Sequence, residues 1–339
     1  MVINVAINGF GRIGRMVFRA AMNDKLLNIV AVNDLTDNKT LAHLLKHDSV
    51  HGKLDVDVSA SNNTLHVGKK KIKVFSEKDP ANLPWHQLKI DVVVESTGFF
   101  RDPVKAAVHL KAGAKKVLIS APCKCESGQL CPANTTTIVL GVNDKSYNKK
   151  KHQIISNASC TTNCVAPIMK VLEENIGVKR CFFSTIHAYT ADQKIVDGPH
   201  KDLRRARAAA INMIPTSTGA DVATVEAIPS LAGKIRGSAI RVPVVNGSIT
   251  DFTIEMKKDV TVESINKLFQ KQAAGKMKGI IEYSEDELVS SDIIGNPHSS
   301  IFDSKLTKVV DGKFLKIVSW YDNEWGYSKR MVDLIKIIV

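Results

Sequence analysis

Nowhere in this 339-residue sequence does an apolar run approach the ~18–20 residues of a membrane-spanning helix, so no span is expected. The opening Met-Val-Ile-Asn-Val-Ala-Ile-Asn-Gly lacks the basic start, longer apolar core and cleavage site of a signal peptide. A cytoplasmic address is therefore expected, with the six cysteines mostly reduced. Aromatic residues are only 6% of the chain. The densest basic runs, Lys69-Lys70-Lys71 and Lys149-Lys150-Lys151, are not interleaved with aromatics as a stacking platform would be. The net charge of +13 admits a polyanion or small phosphorylated ligands as partners; the basic runs read as solvated faces, and no dedicated nucleic-acid partner is expected. Internal repeats and low-complexity linkers are also missing. At this length, two domains are the expectation.

The first half of the chain alternates short β-branched runs with helical patterns. Strands are expected at Val2–Ile7, Asn28–Asn33, Lys89–Glu95 and Lys116–Ser120, and helices at Ile13–Met22, Thr40–Leu45 and Val104–Lys111. That alternation predicts a doubly wound parallel sheet of Rossmann type, interrupted by a hairpin-like insert at Val56–Val74. The second half reads differently. A helix at Thr161–Glu174 and a strand at Arg180–His187 precede an irregular segment reaching about Thr218. Extended runs follow at Ala239–Val245, Thr250–Met256 and Phe314–Tyr321, with helices at Val262–Ala274 and Gly326–Val339. Strands with few crossover helices predict an α+β domain with a mixed or antiparallel sheet.

Asn8-Gly9-Phe10-Gly11-Arg12-Ile13-Gly14-Arg15 contains G-x-G-x-x-G between an expected strand and helix, and Asp34 ends the next strand twenty residues past Gly14. This is the context of a dinucleotide site. Gly9 permits the tight turn, Gly11 lets backbone approach a pyrophosphate, and Gly14 lets helix and strand pack. The Asp34 carboxylate suits a ribose 2′-hydroxyl and repels a 2′-phosphate, so NAD is favoured over NADP. Ser96-Thr97-Gly98 ends another apolar strand and belongs to the same crevice.

Two cysteines stand four apart in Ser-Asn-Ala-Ser-Cys-Thr-Thr-Asn-Cys, residues 156–164. On one helix face their Cβ vectors run parallel, which disfavours a disulfide, and C-x₃-C fits neither a redox nor a zinc motif. Cys160 stands at the helix start, where the dipole and free N–H groups stabilise a thiolate and lower its pKa from ~8.5. Cys164, one turn deeper, reads as a buried small residue. His187, at a strand end, is the candidate base. Cys181 reads as core. Cys123, Cys125 and Cys131 lack a fourth zinc ligand; a labile disulfide is open, and a plain surface loop is favoured. The run His47-Asp48-Ser49-Val50-His51 has Asp where a zinc protease needs Glu, and no metal is expected.

Asn-Gly-Phe-Gly-Arg-Ile-Gly-Arg at 8–15, Ser-Asn-Ala-Ser-Cys-Thr-Thr-Asn at 156–163 and His-Ala-Tyr-Thr at 187–190 resemble glyceraldehyde-3-phosphate dehydrogenase of the phosphorylating, glycolytic type. So do Pro-Thr-Ser-Thr-Gly-Ala at 215–220, Arg-Val-Pro-Val at 241–244 and Trp-Tyr-Asp-Asn-Glu-Trp-Gly-Tyr-Ser at 320–328. The blocks span the whole chain in order. The resemblance implies oxidation of glyceraldehyde 3-phosphate with NAD⁺ and inorganic phosphate to 1,3-bisphosphoglycerate. Cys160 forms a hemithioacetal and then a thioester, with His187 as base. It places Ser159, Thr161, Thr218 and Gly219 at one phosphate, and Thr190, Asp192, Arg241 and Arg205 at the other. Asn323, with Tyr327 near it, is implied at the nicotinamide, and Phe10, Arg12, Ile13 and Ser120 join the cofactor set. A homotetramer is implied, as is return of the last helix to the nucleotide domain. Residues 1–157 and 323–339 then bind NAD, and 158–322 carry the catalysis. Two departures stand out: the cysteine-rich stretch 123–134, and Ala191 where many bacterial members carry asparagine. Rival readings are an erythrose 4-phosphate dehydrogenase, and an RNA-binding or surface-adhesive protein on the same fold.

Overall fold

The computed structural model describes residues 2–125 and 131–339, so the middle of the cysteine-rich stretch lies outside the described residues. The chain divides into two compact units. One takes the chain as far as Ile138, with Lys145–Ala158 and Ser328–Val339; the other is Val139–Asp144 and Ser159–Tyr327.

Among the described residues the first unit is built on a nine-stranded sheet. Its strands are β1 (Ile3–Asn8), β2 (Leu27–Asn33), β3 (Val58–Ser61), β4 (Thr64–Val67), β5 (Lys70–Phe75), β6 (Val92–Glu95), β7 (Lys116–Ile119), β8 (Thr135–Thr137) and β9 (Ile154–Ser156). The order across the sheet is β3-β4-β5-β2-β1-β6-β7-β9-β8. All pairs from β5 onward are parallel. Val92, Val93 and Val94 are buried, as a central parallel strand covered on both faces requires. The expected insert is present as the antiparallel β3-β4-β5 meander, turning at Asn62 with φ 46°. It carries β5 back beside β2. The chain crosses over through α1 (Arg12–Ala21) and α2 (Asn38–Lys46). The helix expected over 104–111 is instead two short turns, α3 (Pro103–Ala106) and α4 (Val108–Lys111), meeting at Ala107. Three-residue β8 and β9 are too short to show a period in sequence. A disulfide joins Cys125 and Cys131, Cα atoms 5.5 Å apart, where a plain loop was the favoured reading. Spacing alone does not show whether a loop brings its two ends face to face.

The second unit carries a mixed sheet. Its helix α5 (Cys160–Asn175) precedes β10 (Val178–Ala188), β11 (Ile214–Thr216), α6 (Ala220–Ala227), β12 (Ile235–Val242), β13 (Ser248–Met256) and α7 (Val262–Ala274). Then come β14 (Ile281–Ser284), β15 (Ser300–Asp303), β16 (Lys308–Val310) and β17 (Phe314–Tyr321). The order is β11-β12-β10-β13-β17-β15-β14, with β16 also on β17. β10 runs parallel to β12 and antiparallel to β13. Alternate residues of β13 are buried, the pattern of a sheet with one covered face. Val165, Ile168, Met169 and Leu172 of α5 and Ile265 and Phe269 of α7 pack with Phe183, Phe252, Ile254 and Ile317 into one core. The last helix, α8, starts at Trp325 in this unit and continues to Ile338, its residues from Ser328 counting with the first unit. No helix among the described residues is long and apolar enough to cross a membrane.

Candidate active site

The glycine-rich turn leaves β1 at Asn8 and enters α1. A Cβ on Gly9 (φ +89°) would lie 2.6 Å from the Thr97 nitrogen, and one on Gly14 would lie 2.2 Å from the Gly9 oxygen. Both positions therefore require glycine. A Cβ on Gly11 would meet nothing within 4 Å. Gly11 is also the N-cap of α1 and offers no side-chain hydrogen bond to the first turn, the end of a helix that suits an anion. Asp34 accepts from the Phe10 nitrogen at 2.7 Å and the Thr36 nitrogen at 3.0 Å, which locks the carboxylate to the turn. Ser96 Oγ donates to the Gly9 carbonyl at 2.7 Å.

These residues wall a cavity of about 470 Å³. Asn8, Gly9, Gly11, Asp34, Ser96 and Thr97 line it. Exposed Leu35 and Phe99 add apolar walls suited to a base. A helix N-terminus without a side-chain cap, a carboxylate at a strand end and apolar flanks fit NAD. Phe10, Arg12, Ile13, Gly14, Gly98 and Ser120 do not line the cavity. The Phe10 side chain is buried, and Arg12 pairs with Asp48 at 2.6 Å. Asp48 also accepts from the nitrogens of Val50 and His51, each at 2.9 Å, so the run 47–51 is a capped turn. Among the described residues no three histidine, cysteine or acidic side chains gather as a metal site would need. Sequence reasoning missed Leu35, Glu77, Lys78, Pro80, Phe99 and Phe100 as lining residues. For Glu77, Lys78 and Pro80 the signal was obscured because the β3-β5 insert hides that residues after β5 return beside Asp34; Leu35, Phe99 and Phe100 directly follow motif residues and could have been found by extending the motifs.

Cys160, near the start of the second unit, follows a strained turn. Ala158 has φ +54°, a left-handed conformation that costs a non-glycine residue about 1–2 kcal/mol. Ser159 then caps α5, its Oγ accepting from the Thr162 nitrogen at 3.0 Å, and Cys160 opens the helix. Cys160 Sγ lies 3.4 Å from His187 Nε2. His187 is 4% exposed, and its Nδ1 lies 2.6 Å from the Ala188 carbonyl. A carbonyl only accepts, so Nδ1 carries the proton and Nε2 presents its lone pair to the sulfur. Arg241 Nη1 approaches the same Nδ1 at 3.1 Å, but as a second donor to the same carbonyl, at 3.0 Å. Burial, followed by the Arg241 guanidinium, pushes the imidazole down to about 3. Burial pushes the Cys160 thiol up, against the pull of Arg241 and the Thr161 N–H. This reverses the sequence expectation of a lowered thiol: desolvation outweighs the helix terminus. The resting pair is a neutral thiol facing a neutral, accepting imidazole. Cys164, buried with Ser300 Oγ 3.6 Å away, is pushed up to about 11 by desolvation and is inert.

The anion-binding candidates divide. Arg241 donates to Thr190 Oγ1 at 3.3 Å, while its buried Nε has no partner among the described residues. Arg205 is tied by Asp192, by Thr216 Oγ1 at 2.9 Å and by the Ser217 carbonyl at 3.3 Å. Asp192 thus braces a guanidinium and, as a carboxylate, does not itself suit a phosphate. Gly219 caps α6 without a side-chain bond, with open space where a Cβ would stand, and Thr218 Oγ1 accepts from the Ala220 nitrogen at 3.2 Å. Thr161 gives its hydroxyl to Tyr321, 2.9 Å away, which leaves its N–H on the helix terminus. Asn323 Oδ1 accepts from Ser248 Oγ at 2.8 Å, and Ser248 Oγ accepts from the Ala188 nitrogen at 3.1 Å. Tyr327 is buried beyond it on α8. Tyr321 was missed: its hydroxyl also reaches Thr185 Oγ1 at 2.7 Å, and its ring stands edge-on to His187 at 5.9 Å. It ties the start of α5 to the strand that carries His187.

Residues 3–103 match the family described as the NAD binding domain of glyceraldehyde 3-phosphate dehydrogenase, and residues 159–323 match that enzyme's C-terminal domain. The chain is 55% identical to glyceraldehyde-3-phosphate dehydrogenase of Geobacillus stearothermophilus over 338 residues, covering 100% of this chain and 98% of the relative. It is 55% identical to the Mycobacterium avium enzyme over 345 residues, covering 100% and 99%. With glyceraldehyde-3-phosphate dehydrogenase 1 of Bacillus subtilis the identity is 54% over 338 residues, covering 100% and 98%.

Proposed function

The chain belongs to the glyceraldehyde-3-phosphate dehydrogenase family, and from that premise we propose that Cys160 and His187 carry the oxidation of D-glyceraldehyde 3-phosphate to 1,3-bisphosphoglycerate, with inorganic phosphate as second substrate. The enzyme is an NAD-dependent oxidoreductase of glycolytic type. Bound NAD⁺ supplies the hydride acceptor. The observation that carries the reading is the 3.4 Å approach of Cys160 Sγ to an imidazole whose other nitrogen is spent on Ala188.

As Sγ adds to the aldehyde carbon, its proton passes through Nε2 to the new alkoxide, giving a neutral hemithioacetal. Nε2 then takes the hydroxyl proton as that carbon is oxidised to the thioester. A phosphate oxygen attacks the thioester carbon, Sγ leaves as thiolate, and the imidazolium returns the proton to it. The unpartnered Nε of Arg241 supports anion binding at one of the two phosphates. A homotetramer and a cytosolic address accompany this reading. Exposed Ile195, Val196, Leu203, Ile211 and Met213 support the first, and a working thiol, which must stay reduced, supports the second.

The test is NADH absorbance with glyceraldehyde 3-phosphate, with and without phosphate. Cys160→Ser should abolish turnover while NAD still binds, and His187→Asn should lose about 10²–10⁴-fold. Turnover retained by Cys160→Ser would remove the nucleophile from the scheme. Erythrose 4-phosphate as the better aldehyde would move the assignment to the rival enzyme.

A further inference from the structure

Beneath the dinucleotide pocket lies a polar chain that the reaction does not use. Glu95 is 2% exposed, and His109 and Trp85 are 0% exposed. The Trp85 indole can only donate, and its Nε1 lies 3.1 Å from His109 Nδ1. Nδ1 is therefore bare, and Nε2 carries the proton toward Glu95 Oε2, 3.1 Å away. Asn8 Nδ2 donates to the same oxygen at 2.6 Å. Asn8 cannot turn over, because its Oδ1 accepts from Asn33 Nδ2 at 2.7 Å. The other oxygen, Oε1, accepts from the Thr97 nitrogen at 2.8 Å and from the Thr97 hydroxyl. Four donors converge on one buried carboxylate, the only side-chain type that accepts at every point and donates at none. Asn8 and Thr97 are themselves walls of the cavity, and the Thr97 main chain is the surface on which Gly9 rests. Glu95 ends β6 next to β1, where the strand order changes direction, the place where open sheets take their ligands.

We propose that Glu95 is the positioning residue of the NAD pocket: its carboxylate clamps Asn8 and Thr97 on either side of the Gly9 turn, and His109, oriented by Trp85, completes the clamp. The proposal rests on the reading that this cavity takes NAD. It predicts an asymmetry that simple space-filling would not. A glutamine at 95 has the same shape but sets an N–H₂ among existing donors whichever way it turns. A glutamine at 109 can still donate to Glu95 and accept from Trp85.

The experiment is calorimetric titration of the full-length protein with NAD⁺, without substrate, alongside kcat at saturating NAD⁺. Glu95→Gln should weaken NAD⁺ binding about tenfold, with kcat within about twofold of wild type. His109→Leu should weaken binding similarly, and His109→Gln should restore it. If Glu95→Gln does not fold, the two His109 variants decide. Wild-type affinity in Glu95→Gln, or in folded His109→Leu, overturns the positioning role. So does a loss in His109→Gln as large as in His109→Leu. A wild-type protein that takes up no NAD⁺ would overturn the pocket's reading as well.

Discussion

His187 owes its low proton affinity to burial and to a guanidinium two bonds of a hydrogen-bond path away, and both effects reach beyond catalysis. The folded imidazole stays neutral down to about 3, whereas an unfolded one takes a proton near 6.5. The unfolded state therefore binds more protons between these values, and folding stability falls as pH drops from about 6.5 toward about 3. Between pH 7 and pH 5 this one group withdraws about 2 kcal/mol. Denaturant unfolding at the two pH values should show that loss in wild type and not in His187→Asn. Equal losses in both proteins would mean the imidazole is not held neutral. Cys160 works in the other direction, its raised thiol adding no instability on the acid side, whereas buried His152 is also pushed down and adds to the acid limb, so the share of His187 is the difference between wild type and His187→Asn.

At the scale of elements, His187 and Arg241 meet because β10 and β12 run parallel in a register that also pairs Phe183 with Gly237. A Cβ on Gly237 would lie 2.1 Å from the end of the Phe183 ring, which packs on Phe252 at 6.0 Å. Gly237→Ala must displace that ring. We expect a loss of about 1–3 kcal/mol in unfolding free energy, with lowered kcat, because the same strand pair sets the His187–Arg241 spacing. A variant as stable as wild type would show that Phe183 can yield. This pairing also marks the limit of what was legible in the sequence. α7 and β17 carry the periods and caps to be read to the residue, and α5 to within one at each end. His187 could be named because it ends an apolar strand. Tyr321 could not: its hydroxyl partners, Thr161 and Thr185, are 160 and 136 residues away in the chain. The direction of the Cys160 shift was misread for the same reason. A helix terminus is local and visible in sequence, whereas desolvation comes from distant elements. Arg205 and Asp192, set down as phosphate ligands, are bound first to each other.

For the molecule as a whole, the uneven placement of apolar surface matters more than the net charge of +13. Ile195 is 87% exposed, Leu203 82%, Ile211 80% and Met213 76%, all within the segment between β10 and β11. That segment holds little regular structure beyond a bridge between Lys194 and Ala208, and its order comes from side chains: Asp197 takes Arg207 at 2.8 Å, and Asp202 takes Thr216 at 2.7 Å. A segment so braced yet so apolar outside gains most by burial against another copy. Each of these side chains contributes roughly 1.5–3 kcal/mol when fully covered. Replacing Ile195 and Met213 by aspartate should therefore break the assembly without unfolding the chain. In sedimentation velocity the wild type should run as a multiple of 37.1 kDa, near four, and the double variant at a smaller multiple. A wild type that sediments as a single chain, or a double variant that keeps the wild-type size, would remove this segment from the subunit contact.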